Sequence, residues 1–519
     1  MDKDTNISPQ KPAPAAPVIP PAQENQAINL EKPLRWKQAN SVEQKMLQNL
    51  QGNILKGHGR DHTWNIFFVF DQHKVAESRR ALREIGNTHV TSAYAQLLGT
   101  ELFKTTKTDA GTFCAAFLSK DGYSAIGESF TVPQDNDTFN KSMRDSAGSD
   151  PLNDPPLEDW EEAFRQRIDG LILVADDDVA RGSSITLKIQ MILAKAGATI
   201  IHTQQGKSIK NAMGNGLEHF GYVDGRSQPL MLLEDIDQES RDEGIASWDP
   251  AFPLNTVLVP DPLARDGGGQ QDPNSFGSFF IFRKLEQDVA GFKLHEQVLA
   301  DALNLQKEER EQAGAYVVGR FEDGTPVTIA GEPQDRKIPR NDFNYKADTE
   351  AARCPFHAHI RKTNPRGGNR PDNADAERLH IMARRGITYE DVARMTHPDG
   401  LPETDSTDEF KEKVWPHLPA KDVGLLFMAY NSRLDEQFVF TQKMWANNTK
   451  FPPPTSKDGT EPGIDPVIGM GENIRGGQIY PNKWDDPGSG GKGFDFKGFV
   501  HMKGGEYFFA PSLNYLRNL

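Results

Sequence analysis

The chain has 519 residues, 36% of them hydrophobic, with 29 Phe and 7 Trp. That is enough apolar material for sizeable cores, and the length sets two domains as the prior expectation. A formal net charge of −15 disfavours nucleic acid or an anionic membrane as the main partner, and two cysteines, Cys114 and Cys354, cannot make a disulfide framework.

Residues 1–40, rich in Pro and Ala, read as an extended solvated tail. The start lacks a basic region, an apolar stretch and a twin-Arg pair, so no export signal is expected and the location is expected to be cytoplasmic. No apolar run of about 18 residues appears along the chain, which argues against a membrane span. Leu47–Arg60 (LQNLQGNILKGHGR) is rich in glycine and backbone donors. WNIFFVF (Trp64–Phe70) is short, apolar and aromatic and reads as a buried strand, followed by a helix over Lys74–Ile85. GTFCAAFLS (Gly111–Ser119) reads as another strand, which makes Cys114 a core thiol.

DGLILVADDD (Asp169–Asp178) reads as a strand closed by an acidic turn. A helix over Ser183–Ala196 then turns Ile185, Ile189, Ile192 and Leu193 to a core, and a strand follows at Thr199–Thr203. The pattern restarts at Ser275–Leu285 (SFGSFFIFRKL), with a helical stretch through Leu303. Strands are expected at Leu379–Tyr389 and Gly424–Tyr430, and a closing helix at Gln437–Asn448. Two units that each open on an aromatic strand and a helix suggest a duplicated α+β architecture. Leu230–Asn274 and Lys450–Lys492 read as long loops of the kind that wrap a site.

The chemistry concentrates in RCPFHAHIRKTNPR (Arg353–Arg366). On a strand, His357 and His359 would point the same way and could share one zinc, as in a hydrolase, if further ligands converged. Cys354-Pro355 offers a thiolate to haem iron, although so short a motif carries little weight. The third reading takes one histidine as the proximal ligand of a haem, with Arg361, Lys362, Arg366 and Arg370 supplying cations for the propionates.

Two further stretches bear on that choice. EHFGYVDGRSQP (Glu218–Pro229) holds Asp224 between glycines on a turn, and ARRGITY places paired arginines before a strand. Together with CPFHAHIRKTNPR they resemble the signature of the dye-decolorizing peroxidases, a haem family with paired ferredoxin-like domains. QGNILKGHGR, IDGLILVADD, GLLFMAY and GIDPVIG extend the resemblance in family order from about Gln51 to about Gly469.

The resemblance implies two ferredoxin-like domains of antiparallel sheet and helices, at 41–228 and 229–519, with haem in the C-terminal half and long loop insertions. It implies one haem b per chain, with His359 as the iron ligand and His357 a bystander. Asp224 is the implied acid–base residue and Arg384 the distal arginine, with Arg385 its neighbour. A carboxylate behind the ligand is expected at Asp465, with Asp435 as fallback. Arg361, Arg366 and Arg370 are the expected propionate clamp, and Leu425 and Phe427 the apolar lining above the iron. The implied activity uses hydrogen peroxide to oxidise dyes, phenols or other organic reductants in one-electron steps through a ferryl haem. Bulky dyes would need a redox-active surface residue, for which Tyr389 is the candidate. A haem carrier would keep His359 without needing Asp224 and Arg384 together, and a zinc hydrolase would use both histidines.

Overall fold

Four strands form in the first half, β1 (His62–Val69), β2 (Phe113–Leu118), β3 (Gly170–Asp176) and β4 (Thr199–Lys207). Every residue of β2 and β3 is buried, which is why both read as unbroken apolar runs. All pair antiparallel in the spatial order β4-β1-β3-β2. Helix α1 (Val75–Thr88) lies between β1 and β2 in the chain, and α2 (Val179–Lys195) between β3 and β4. This computed structural model describes residues 28–130, 136–149, 152–368, 374–392, 402, 404–453, 461–470 and 477–519.

The second half repeats the plan with β5 (Phe276–Gln287), β6 (Ile387–Glu390), β7 (Val423–Asn431) and β8 (Val500–Ala510), in the order β8-β5-β7-β6. Helix α3 (Val289–Ala302) follows β5. In both halves the first strand sits between the third and the fourth, the ferredoxin-like arrangement, so the fold is α+β with antiparallel sheet.

The halves join where β8 meets β2, at the pair Phe509 and Leu118. Their far edges also meet, because Thr388 Oγ1 donates to the Lys207 carbonyl and Gly206 lies against Ile387. A Cβ on Gly206 would come within 2.7 Å of Ile387 Cγ2, so only glycine permits that approach. The sheet therefore curls round a shared core in which Phe117 stacks on Phe280 at 4.2 Å. A second apolar cluster surrounds α3 and contains Phe292, Tyr345 and Cys354.

Several expectations change. Residues 28–40, expected in the tail, are packed: Leu34 N–H donates to the Met231 carbonyl and Trp36 is buried. Helix α2 starts four residues earlier than expected, because Asp178 caps it and Gly182 packs on Trp64. The strand expected over Leu379–Tyr389 is two short pieces, Ala383–Arg384 and β6. Gln437–Asn448 does not close the fold; it forms π-helical turns, and β8 with the helix Leu513–Asn518 comes last. The stretch Leu230–Asn274 contains a helix at Leu233–Asp242. No helix among the described residues is long and apolar enough to cross a membrane.

Candidate active site

A cavity of about 510 Å³ gathers His359, Asp224, Arg384, Leu425, Phe427 and Arg366 into one lining. Two short helices, α4 (Glu311–Val318) and α5 (His359–Thr363), form part of its wall. Gly319 ends α4 at φ +95°, and Ile360 of α5 fills the space where a Cβ would stand, 2.4 Å from Ile360 Cγ1. That contact seats α5 and with it His359.

The chain around His359 turns at Pro355–Ala358 and then becomes helix, so the alternation of a strand does not apply. His359 faces the cavity, whereas His357 turns into the protein and packs edge-on against Tyr480 at 4.6 Å. Burial pushes the His357 pKa down to about 3, which leaves the ring neutral. The pair therefore cannot share a zinc ion, and no other metal-holding group of three ligands exists among the described residues. Cys354 is also buried outside the cavity lining, its thiol pushed up to about 12 by burial, and Cys114 likewise.

His359 Nδ1 donates to Asp465 Oδ2 at 2.8 Å. The other oxygen, Oδ1, accepts from the N–H groups of Val467 (2.8 Å) and Ile468 (3.0 Å). Burial would raise the Asp465 pKa, but His359 and those N–H groups hold it below the usual carboxylate value. Burial works against a charged His359, yet Asp465 more than offsets it, and the imidazole pKa lies above its ordinary value. The Nδ1 bond is the only side-chain hydrogen bond of His359 among the described residues, which leaves Nε2 without a partner there. Asp435, the fallback, lies elsewhere and accepts from Thr138 Oγ1.

Asp224 stands on a turn that Glu218 organises. Glu218 accepts from the N–H groups of Phe220 and Tyr222, both at 2.9 Å, and Gln287 Nε2 donates to the same carboxyl. Gly221 (φ +100°) and Gly225 (φ +79°) supply the left-handed positions on either side of Asp224. Burial pushes the Glu218 pKa up to about 7. Among the described residues the Asp224 carboxylate accepts no hydrogen bond.

Arg384 pairs with Ala429 of β7. Its Nη2 donates to the Arg226 carbonyl at 2.9 Å, the sole bond of its guanidinium among the described residues. Burial lowers its pKa, and Asp224 opposes the shift. Arg385 is spent on the carbonyls of Asn53, Ile54 and Arg384. Leu425 and Phe427 alternate along β7 and both line the cavity, while Leu426 and Met428 face the core.

The expected cation clamp changes most. Arg361 is fully buried outside the cavity lining and paired with Asp348 at 2.9 Å, so its role is structural. Arg366 does line the cavity, but its Nη atoms donate to Asn341, Phe343 and Ser227 and its plane stacks on Phe343 at 4.0 Å. Arg370 lies outside the described residues. Arg320, missed in the sequence, lines the same cavity; burial brings its pKa down to about 10 and that of Arg366 to about 9. The signal was GRFEDG, a lone arginine after the glycine that ends a helix, which nothing nearby distinguishes from surface charge.

Tyr389 does not fit its expected role. Its side chain is 1% exposed and outside the cavity lining, with the Lys284 ammonium 4.6 Å from its ring. Burial also raises its pKa far above the ordinary value. It is a core residue and no surface donor site.

A family model described as "DyP dimeric alpha+beta barrel domain" matches residues 49–209. The multifunctional dye peroxidase DyP2 of Amycolatopsis sp. is 44% identical over 496 residues, covering 95% of this chain and 100% of that protein. Peroxidase 2 of Mycetinis scorodonius is 31% identical over 504 residues, 91% of this chain and 87% of its own. The solved structure of the Amycolatopsis protein superposes with a TM-score of 0.85 at 42% identity, over 95% of this chain and all of that one. A DyP-type peroxidase of Anabaena sp. gives a TM-score of 0.81 at 34% identity, over 94% and 98% of the two chains.

Proposed function

The chain belongs to the dye-decolorizing peroxidase family and is a haem peroxidase that oxidises dyes with hydrogen peroxide; from that premise we propose that it holds one haem b, ligated by His359, with Asp224 and Arg384 acting on peroxide. The observation that carries this assignment is the placement of His359, Asp224 and Arg384 on one cavity while His359 Nδ1 is committed to Asp465. The cavity suits a flat, largely apolar dianion. It offers apolar walls at Leu425 and Phe427, one imidazole nitrogen without a partner, and buried guanidinium groups whose lowered pKa values reflect burial. Neither cysteine reaches the lining, which favours a haem without thioether links.

A haem bound there would supply the redox-active iron that peroxide chemistry needs. His359 offers Nε2 to the iron, and its Nδ1–H bond to Asp465 strengthens that nitrogen as a donor. The Asp224 carboxylate would take a proton from one peroxide oxygen and return it to the other as the O–O bond breaks. Arg384 stays charged and has donors to spare beyond its bond to Arg226, so it steadies the negative charge growing on that departing oxygen. Leu425 and Phe427 would give that space an apolar wall. Arg366 and Arg320 would act on the cofactor's carboxylates mainly through charge, because the fork of each is engaged, Arg366 by Asn341 and Ser227 and Arg320 by Gly324, Arg340 and Ser227. Dyes, phenols and similar organic donors would supply the electrons, one at a time.

An absorption spectrum of the purified protein tests the reading. A Soret band that changes on adding one equivalent of peroxide is expected, with all haem extractable by acid butanone at one per chain. A Soret band indifferent to peroxide would indicate a haem carrier, and a colourless protein would end the proposal.

A further inference from the structure

Lys362 lies three residues beyond His359 in α5 and is fully buried. A buried amine is costly unless its donors are satisfied, and methionine or leucine would fill the same space at less cost. Here Nζ donates to two backbone carbonyls, those of Asn448 (2.7 Å) and Gly463 (2.6 Å). Both belong to the backbone around Asp465. Asn448 follows the π-helical turn Thr441–Ala446, from which the Ala446 carbonyl accepts the Asp465 N–H at 2.9 Å. Gly463 stands two residues before Asp465, and its own N–H reaches the Thr449 carbonyl at 3.0 Å. Burial lowers the Lys362 pKa to about 7, with Asp465 opposing. An ammonium and a neutral amine both keep the two N–H groups needed, so the tie holds in either state.

We propose that Lys362 is a positioning residue for the haem ligand: by tying Asn448 and Gly463 to the helix of His359, it holds Asp465 Oδ2 against His359 Nδ1 and so sets how strongly His359 donates to iron. The inference rests on the reading of His359 as the ligand. Loss of the tie lets Asp465 drift, weakens the Nδ1–H bond and leaves a poorer imidazole donor. Loss of the charge alone acts oppositely, because a less restrained Asp465 carboxylate would pull harder on Nδ1–H. The sign of the change therefore separates the two roles.

The test compares holoenzyme carrying Lys362→Met, Asp465→Asn and both together. It reads the iron–imidazole stretching frequency of the ferrous protein, the midpoint potential, and haem transfer to excess apomyoglobin. Lys362→Met is expected to lower the frequency, raise the midpoint and release haem about tenfold faster. Asp465→Asn should do more, and the double variant should match Asp465→Asn alone, since both changes act through one bond. Unchanged values, a lowered midpoint, or additive effects in the double variant would overturn the inference. If Lys362→Met does not fold, Lys362→Gln, whose arm is one atom shorter and so cannot reach both carbonyls, should lie between wild type and Asp465→Asn; wild-type values there would overturn it equally. Absence of any iron–imidazole band in the wild type would overturn the ligand reading itself, whereas its presence with an unmoved variant overturns only the role of Lys362.

Discussion

On the His359 side of the cavity the pair His359–Asp465 has its bonding settled: one carboxylate oxygen takes the ring N–H, the other takes two backbone N–H groups, and the helix behind is tied by Lys362. Elsewhere on the same lining Asp224 accepts nothing among the described residues and Arg384 spends one donor on Arg226. The contrast matches two different tasks. Under the proposed roles, a ligand that must hold one orientation would be fixed by neighbours, whereas groups that must bind and reprotonate peroxide would keep their hydrogen-bonding capacity for it. The supporting structure on the Asp224 side is instead placed one step back, in the Glu218 carboxyl that holds the turn.

The contrast breaks most visibly at Asp224. Asp224→Asn keeps the size of the side chain and removes its base, so stopped-flow mixing with peroxide should show a rate lower by roughly 10²–10⁴-fold with haem content unchanged. Arg384→Leu removes the cation and should lower the same rate by roughly 10²–10³-fold, again with haem retained. If either variant loses haem instead, the two sides are not functionally separate. Asp465→Asn should behave the other way, weakening haem retention roughly 10–100-fold in a competition assay while peroxide still reacts.

A smaller effect concerns stability. Burial raises the Glu218 pKa from 4.5 to about 7, so between those values the folded chain keeps a proton that the unfolded chain releases. Stability attributable to this group therefore falls as pH rises through that window. Thermal melts between pH 4.5 and 7.5 should show a shallower decline for Glu218→Gln than for wild type, with residual slope from Glu377 and Glu506, which burial shifts in the same direction. The smallest expected effect is at Tyr389: Tyr389→Phe should leave turnover of bulky and small donors alike, since the side chain is buried away from the cavity.

Much of this plan was legible in the residues. Strands such as β2 and β3 announce themselves because every position is apolar, and the early strands and α1 follow from periodicity alone. β8 escaped notice because VHMKGGEYFFA mixes charge and glycine; Glu506 is buried through Ser142 and the Met143 N–H, a tertiary compensation invisible along the chain. The site divides in the same way. His359, Asp224, Arg384 and Asp465 lie in short stretches whose order resembles a family, and the fold brings them to one cavity or its edge. Cations were harder, because neither spacing nor composition says whether an arginine turns to a cavity or to a carboxylate. Arg361 found Asp348, Arg366 found backbone carbonyls, and Arg320 arrived from a segment without any local signal. His357 is the bystander expected of it, and only the rival zinc reading needed a strand that the backbone does not keep; Tyr389 departs from its expected surface role because proximity to Arg384 along the chain says nothing of exposure.

The central claim, that His359 alone carries the iron, is most directly tested by resonance Raman of the ferrous protein in His359→Gly and His357→Ala, each with and without added imidazole. The account predicts that His357→Ala keeps the iron–imidazole band, and that His359→Gly loses it and regains it when free imidazole enters the space left behind. Persistence of the band in His359→Gly without imidazole, or its loss in a folded His357→Ala, would contradict the account.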